Sequence, residues 1–196
     1  MQSVRSMRRV HYAWIVVVVT FFSLLASAGV RTAPSIIIVP LETEFGWDRA
    51  SVSLAVAVSL FAFGFGAPLG GIVVDRFGPR RVMLGGLTLI TLGLIPLLFL
   101  TDLWQLHLFW GLVVGIGTGG VSGTLGAVVA ARWFNKHRGM IVGLLGAAAA
   151  AGQLIFFPGL IALGSAAGWR SVIVALIIGC AVALVIGLLF MRNRPE

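Results

Sequence analysis

Apolar residues in this chain come in long runs, and the runs recur six times. They lie at about 12–41, 50–74, 81–100, 104–131, 139–163 and 170–191. Each is long enough to cross roughly 30 Å of hydrocarbon as a helix. An isolated strand would leave its amides unpaired in lipid, so each run predicts a helix. A four-residue pattern of small residues is superimposed on the runs. The fourth run places Gly111, Gly115, Gly119 and Gly123 on nearly one helical face. The second has Ala62, Gly66 and Gly70, and the fifth has Gly139, Gly143, Ala147 and Ala151. Little hydrophobic force draws helices together in lipid, so small residues that let backbones approach act as packing seams. The pattern predicts an all-α polytopic membrane protein: six transmembrane helices over 12–191, with short tails at 1–11 and 192–196.

Composition agrees with that pattern. Hydrophobic residues make up 59% of the 196 and charged residues 10%, with a mean hydropathy of +1.08. A soluble domain carries about 25% charged residues, so no water-soluble surface can be built from this mixture. The charges that remain are sorted by loop. Arg5, Arg8, Arg9, Arg76, Arg80, Arg81, Arg132, Lys136, Arg138, Arg192 and Arg194 fall on one side of the predicted membrane. The other side has Arg49 and Arg170 with most of the acids: Glu42, Glu44, Asp48 and Asp102. Positive loops stay in the cytoplasm, which predicts an integral membrane protein, of a bacterial inner membrane, with both termini cytoplasmic. The net charge of +8 is thus a topology signal. Nucleic-acid binding would need a basic patch on a soluble face, and none is present. Trp14, Trp47, Trp104, Trp133 and Trp169 fall near span ends, where amphipathic indoles belong.

The first run resembles a signal peptide, with a basic start, an apolar core and Ala-Ser-Ala at 26–28. Cleavage there would discard the first pass of a regular six, so an uncleaved helix is expected. Cys180 has no partner for a disulfide or a metal and reads as a buried bystander. Pro34, Pro40, Pro68, Pro96 and Pro158 lie within or at the ends of spans. Proline removes an amide donor, and Pro34 is expected to kink or loosen the first helix. "GIGTGG" at 115–120 matches a dinucleotide fingerprint only in letters, since no strand precedes it. Enzyme chemistry finds no footing. Gly120-Val121-Ser122-Gly123 has the wrong spacing for a nucleophile elbow. There is no H-E-x-x-H, His11, His107 and His137 are scattered near membrane surfaces, and Asp75 and Asp102 lie on opposite sides. No cofactor or metal is implied.

The most specific stretch is "GGIVVDRFGPRR", Gly70 to Arg81, between the second and third spans. It fits G-x-x-x-D-R-x-G-x-R-R through Gly71, Asp75, Arg76, Gly78, Arg80 and Arg81. Gly78 allows a sharp turn, and Gly71 permits close helix approach. Asp75 can accept charge-assisted hydrogen bonds from arginines or a helix N-terminus. Such a cluster can latch two helix bundles on one face and release them when they rock. This pattern closely resembles the signature loop of the major facilitator superfamily. "YAWIVVVVTFF", "PLETEFGWDRASVSLA", "RWFNKHRGMIVGLLGAAAAAGQLIFFP" and "GWRSVIVAL" resemble its monocarboxylate-transporter and oxalate–formate antiporter branch. The resemblance covers essentially the whole chain as the N-terminal six-helix half of that fold. Two features depart from the drug–proton antiporters of the superfamily. Gly111 stands where they carry an arginine four residues before Gly115, and Phe157 precedes Pro158 where they have glycine. The resemblance implies transport by alternating access, with a second six-helix half as partner. That half would be a C-terminal half beyond Glu196, another chain, or a second copy. A non-transporting six-helix protein, a remnant or an assembly partner, is the alternative.

Arg31 stands apart from every other cation. Counted from Leu41, it lies roughly 15 Å inside the first span. A charge at that depth costs from about 2.5 to well over 10 kcal/mol. None of the six runs contains an Asp or Glu to pair with it. The expectation is a guanidinium facing an aqueous cavity and attracting the carboxylate of a small organic anion with two parallel hydrogen bonds. The competing reading is a cation satisfied by carbonyls freed near Pro34, or by an acid on the second half. Gln153 is a weaker substrate-binding candidate. Ser23, Ser27, Ser35, Thr118 and Ser122 could line the same cavity, although membrane hydroxyls often bond their own backbone.

Overall fold

A computed structural model describes residues 2–134 and 137–191, with side chains from Tyr12 onward. Lys136, Arg192 and Arg194, with the 192–196 tail, lie outside the described residues, as do the side chains of Arg5, Arg8, Arg9 and His11. Six helices are long and apolar enough to cross a membrane: α1 (Tyr12–Phe45), α2 (Arg49–Phe77), α3 (Pro79–Phe99), α4 (Leu103–Trp133), α5 (Arg138–Ala167) and α6 (Trp169–Phe190). Three of the turns between them rest on glycines with positive φ, Gly46 (66°), Gly78 (85°) and Gly168 (79°), a backbone state closed to most L-residues. α2 opens on Asp48, whose carboxylate accepts from the Ser51 N–H at 2.9 Å and hydroxyl at 2.6 Å. Those two bonds, the hydroxyl first, hold the Asp48 carboxyl below the usual carboxylate range.

Prolines break helices only where the neighbouring backbone gives way. Pro34 has no N–H to offer the Val30 carbonyl, and α1 turns at Ala33. There the Ala33 N–H reaches back to Val30 O at 3.2 Å, and the Ile36 and Ile37 N–H groups share Ala33 O at 2.9 and 3.0 Å. Pro96 sits in a 3₁₀ turn, Ile95–Phe99, that ends α3. Pro40, Pro68 and Pro158 are carried inside continuous helix. α4 is irregular without proline: it widens into a π-helical stretch, Leu106–Val114, and bends at Val121–Ser122.

The helices pair α2 with α4, α1 with α5, α1 with α6, α3 with α4, and α3 with α6. Exchanging α1-α2-α3 for α4-α5-α6 interchanges α2–α4 with α1–α5 and α1–α6 with α3–α4, and returns α3–α6 to itself. Consecutive spans alternate in direction, so α1 and α4 run oppositely and the two triplets form an inverted repeat. α1 and α4 are its enclosed members, with 67% and 56% of an 18-residue apolar stretch buried against 22% in both α2 and α5. α2 and α5 therefore carry the broad open faces.

The α2–α4 seam is made by absent side chains. A Cβ on Gly111 would come within 2.9 Å of Val58, on Gly115 within 2.7 Å of Ser59 O, and on Gly119 within 2.6 Å of Phe63 O. Gly66 answers from α2, where a Cβ would meet Ile116 O at 2.7 Å. Gly123, expected in the same seam, faces open space. The bend at Val121–Ser122 rotates it out of register. The expected α5 seam is also displaced. Gly139, Gly143 and Ala147 are exposed, and the buried face runs through Ile141, Leu145, Ala148 and Gly152. Gly152 is the close-approach residue, since a Cβ there would meet Ala28 Cβ at 2.8 Å and Leu25 O at 2.9 Å. Cys180 is buried in the core.

Candidate functional site

Arg31 projects from α1 two residues before the Ala33 turn, about 20 Å along the axis from Phe45 and about 30 Å from Tyr12. It is exposed within the bundle's open face and lines a cleft of about 750 Å³ between α1 and α5. Thr32 and Ser35 share its side of that cleft, and Gly146, Ala150, Gln153, Leu154 and Phe157 form the other. On its second flank Arg31 borders a cavity of about 40 Å³ with Ser59, Trp110 and Thr118. That is room for about one water at roughly 30 Å³ apiece. Among the described residues the guanidinium has no carboxylate partner and no hydrogen bond, and its one charge contact is the Phe63 ring, 5.2 Å from Cζ to the centroid. The carbonyls freed by Pro34 do not take it up. The Thr32 carbonyl is taken by Ser35 Oγ at 2.7 Å. Gln153 faces the same cleft and makes no hydrogen bond with a described residue.

The hydroxyls sort differently. Ser23 donates to Val19 O at 2.9 Å and lies 3.3 Å from Met83 Sδ, and Thr118 donates to Val114 O at 2.9 Å. Ser122 bonds Thr124 at 2.9 Å across the α4 bend. These close on their own helices, as hydroxyls in membrane helices commonly do. Ser27 is buried with no partner for its Oγ among the described residues. Ser35 alone of these borders the large cleft, and Thr118 borders the small cavity.

At the basic end, Gly78 makes the turn between α2 and α3. The close-approach glycine of that loop is Gly70, where a Cβ would meet Gly120 Cα at 3.1 Å; Gly71, expected in that role, faces open space. One residue is a hundred degrees on a helix, which carries Gly71 off the α4 contact. Asp75 pairs with Arg132 of α4 at 3.9 Å, while Arg132 also donates to Val74 O at 3.0 Å. Asp75 is 80% exposed, so the pair contributes less than about 1 kcal/mol. Arg80 caps α6 by donating to Leu188 O at 2.9 Å, Arg81 lies over Phe77 with Cζ 5.8 Å from the centroid, and Arg76 is exposed. The loop's charges thus tie α2 to α4 and α3 to α6 within the bundle, with Asp75 and Arg76 both exposed.

Charge counting did not reveal a third cluster, at the acidic end. Glu44 accepts from Trp169 Nε1 and Arg170 Nη1, both at 2.6 Å, and Arg170 lies over the Trp169 ring at 4.4 Å. Phe45 stacks on Trp47 at 4.5 Å beside them. The signal was in the chain: Gly-Trp recurs at 46–47 and 168–169, at the turns that open α2 and α6. This cluster pins the segment beyond the Ala33 turn to α6.

The model of the Major Facilitator Superfamily matches residues 17–196. The chain belongs to the major facilitator superfamily. It is similar to the uncharacterized MFS-type transporter YcxA of Bacillus subtilis, 26% identical over 93% of this chain and 45% of that protein. Monocarboxylate transporter 4 of Rattus norvegicus is 31% identical over 87% of this chain and 37% of its own length. Monocarboxylate transporter 7 of Homo sapiens is 26% identical over 81% and 30%. The proton:xylose symporter XylE bound to 6-bromo-6-deoxy-D-glucose superposes with a TM-score of 0.82 at 17% identity, covering 94% of this chain and 46% of the symporter. At that identity the likeness is of fold. This major facilitator chain spans less than half the length of the relatives it matches. It is an integral membrane protein of a transporter family, and its relatives are carriers rather than enzymes.

Proposed function

We propose that the chain is one half of a carrier for a small organic anion and that Arg31 is the group that holds the anion's carboxylate. The observation that carries this reading is a mid-span guanidinium exposed in a cleft of about 750 Å³ with no acid among the described residues to neutralise it. An unpaired charge at that depth is costly unless water and a counter-ion reach it. The cleft supplies the water, and the transported anion supplies the charge. One cation lines the cleft among the described residues, facing Leu154 and Phe157, which suits a monocarboxylate with an apolar tail better than a dicarboxylate. The names of the monocarboxylate transporters among its relatives support the same class.

Transport needs a second six-helix half closing over the open faces of α2 and α5, with the two bundles rocking around Arg31. The exposure of Asp75 and Arg76 supports a contact with that partner at the basic end. By the charge bias of the loops that end is cytoplasmic, in a bacterial inner membrane, with both termini inside. Pyruvate binding to the chain in lipid nanodiscs tests the ligand role. Saturable binding is expected for the wild type and its loss for Arg31→Gln; equal binding by the two removes the reading.

A further inference from the structure

We propose that Phe63 is the positioning residue that aims the Arg31 guanidinium at its anion; this rests on the carrier reading above. Arginine is a long, flexible side chain, and a group that must grip a carboxylate bidentately has to be held in place before the anion arrives. Hydrogen bonds to the protein would also hold it, but they would draw on the same set of N–H donors that the carboxylate uses. An aromatic face holds a guanidinium through the ring quadrupole and leaves its five donors free. The structure has this arrangement: Arg31 Cζ lies over the Phe63 ring at 5.2 Å, with no hydrogen bond to a described residue.

Phe63 is itself fixed by the α2–α4 seam. Its carbonyl lies where a Cβ on Gly119 would come within 2.6 Å, and Gly66, one turn on, meets Ile116 O in the same way. The ring is therefore anchored through its own backbone to α4, the helix that walls the small cavity beside Arg31 with Trp110 and Thr118. The chain from Gly119 through Phe63 to Arg31 couples the glycine seam to the cleft.

Two measurements on the full chain in lipid nanodiscs test this. The first is the ¹H–¹⁵N spectrum of arginine Nε–H groups, with Arg31 assigned by its loss in Arg31→Gln. A ring-current displacement of that signal is expected in the wild type and its disappearance in Phe63→Leu; an undisplaced signal overturns the inference with no anion present. The second is pyruvate affinity across Phe63→Leu, Phe63→Tyr and Phe63→Trp. Leucine, similar in bulk and without a quadrupole, is expected to weaken binding about threefold to thirtyfold, with tyrosine and tryptophan restoring it. Wild-type binding by Phe63→Leu, or equal weakening by all three, reduces Phe63 to packing and overturns the inference while leaving the carrier reading intact. Undiminished binding by Arg31→Gln overturns the carrier reading and the positioning role with it.

Discussion

Replacing Arg31 with glutamine should weaken binding while leaving stability nearly unchanged or raised. Glutamine keeps the side chain polar and nearly as long, and removes the charge and the planar fork. A bidentate carboxylate grip is two charge-assisted hydrogen bonds, each worth about 1.5–3 kcal/mol, and glutamine can return one neutral bond worth about 0.5–1.5 kcal/mol. In a cleft open to water the low end applies, so the loss is roughly 1.5–2.5 kcal/mol, or about 10- to 70-fold in Kd. Stability does not follow binding down. Removing a mid-span cation relieves a cost of at least about 2.5 kcal/mol, offset by replacing it with a still-polar amide and by losing the contact with Phe63 at 5.2 Å, about 0.5–1 kcal/mol. Unfolding in nanodiscs should therefore stay within about 1 kcal/mol of the wild type or become harder. Pyruvate titration and an unfolding titration on the same samples read both quantities. An arginine that served structure by pairing with an undescribed acid would behave differently, since breaking a buried pair costs about 3–5 kcal/mol. Intact binding, or a stability loss of that size, refutes the reasoning.

Four further substitutions probe the frame around the cleft. Gly119→Ala drives a methyl against Phe63 O, where 2.6 Å is available, and should cost about 1–3 kcal/mol, while Gly123→Ala, into open space, should change unfolding by less than about 0.5 kcal/mol. Glu44→Ala removes both 2.6 Å bonds that hold α1 to α6; with Glu44 and Arg170 both well exposed, the expected loss is under about 1 kcal/mol and should shrink further in high salt, read by thermal unfolding at two ionic strengths. Asp48 is held below its unfolded value of about 3.9, so its cap is fully present above that pH and is lost as the pH falls through the lower folded value. The carbon chemical shift of its carboxyl should titrate with a midpoint below about 3.9, and Asp48→Ala should abolish the added acid sensitivity of the first turn of α2.

Some of this architecture could be read from residue order because it violates the solvent. A charge at Arg31, a glycine at the Gly78 turn and a proline without an N–H at Pro34 are local exceptions, and each has a local geometry to match: Arg31 borders the large cleft, Gly78 takes φ 85°, and α1 turns just before Pro34. Faces were not legible in the same way. In water, the buried side of a helix is the apolar side. In lipid both sides are apolar, and the pattern that separates them is size. Size is ambiguous in α5, where small residues run from Gly146 to Gly152 without a break: spacing by four favoured Gly139, Gly143 and Ala147, and the structure buries Ala148 and Gly152. The same ambiguity added Gly71 as a close-approach residue beside Gly70, which the four-residue pattern marks, and a bend that no proline announced removed Gly123 from its seam.

The site shows a related asymmetry between a residue and its surroundings. Arg31 is conspicuous alone, whereas Phe63 is one of 13 phenylalanines in the chain, and nothing local marks it as the one beneath a guanidinium. Its place follows from the glycine register of the α2–α4 seam, which sets how far α2 slides along α4 and so which ring reaches α1. Gly115 and Gly119 stand one turn apart against Ser59 and Phe63, also one turn apart. A shift of α2 by a single turn, about 5.4 Å, would bring Ser59 or Ala67 to the position of Phe63 and leave the charge with no aromatic face. The seam thus has a functional consequence beyond tight packing. It sets the register on which the cation's aim depends, so seam variants such as Gly119→Ala should weaken anion binding in proportion to their displacement of α2, even though Gly119 itself does not line the large cleft.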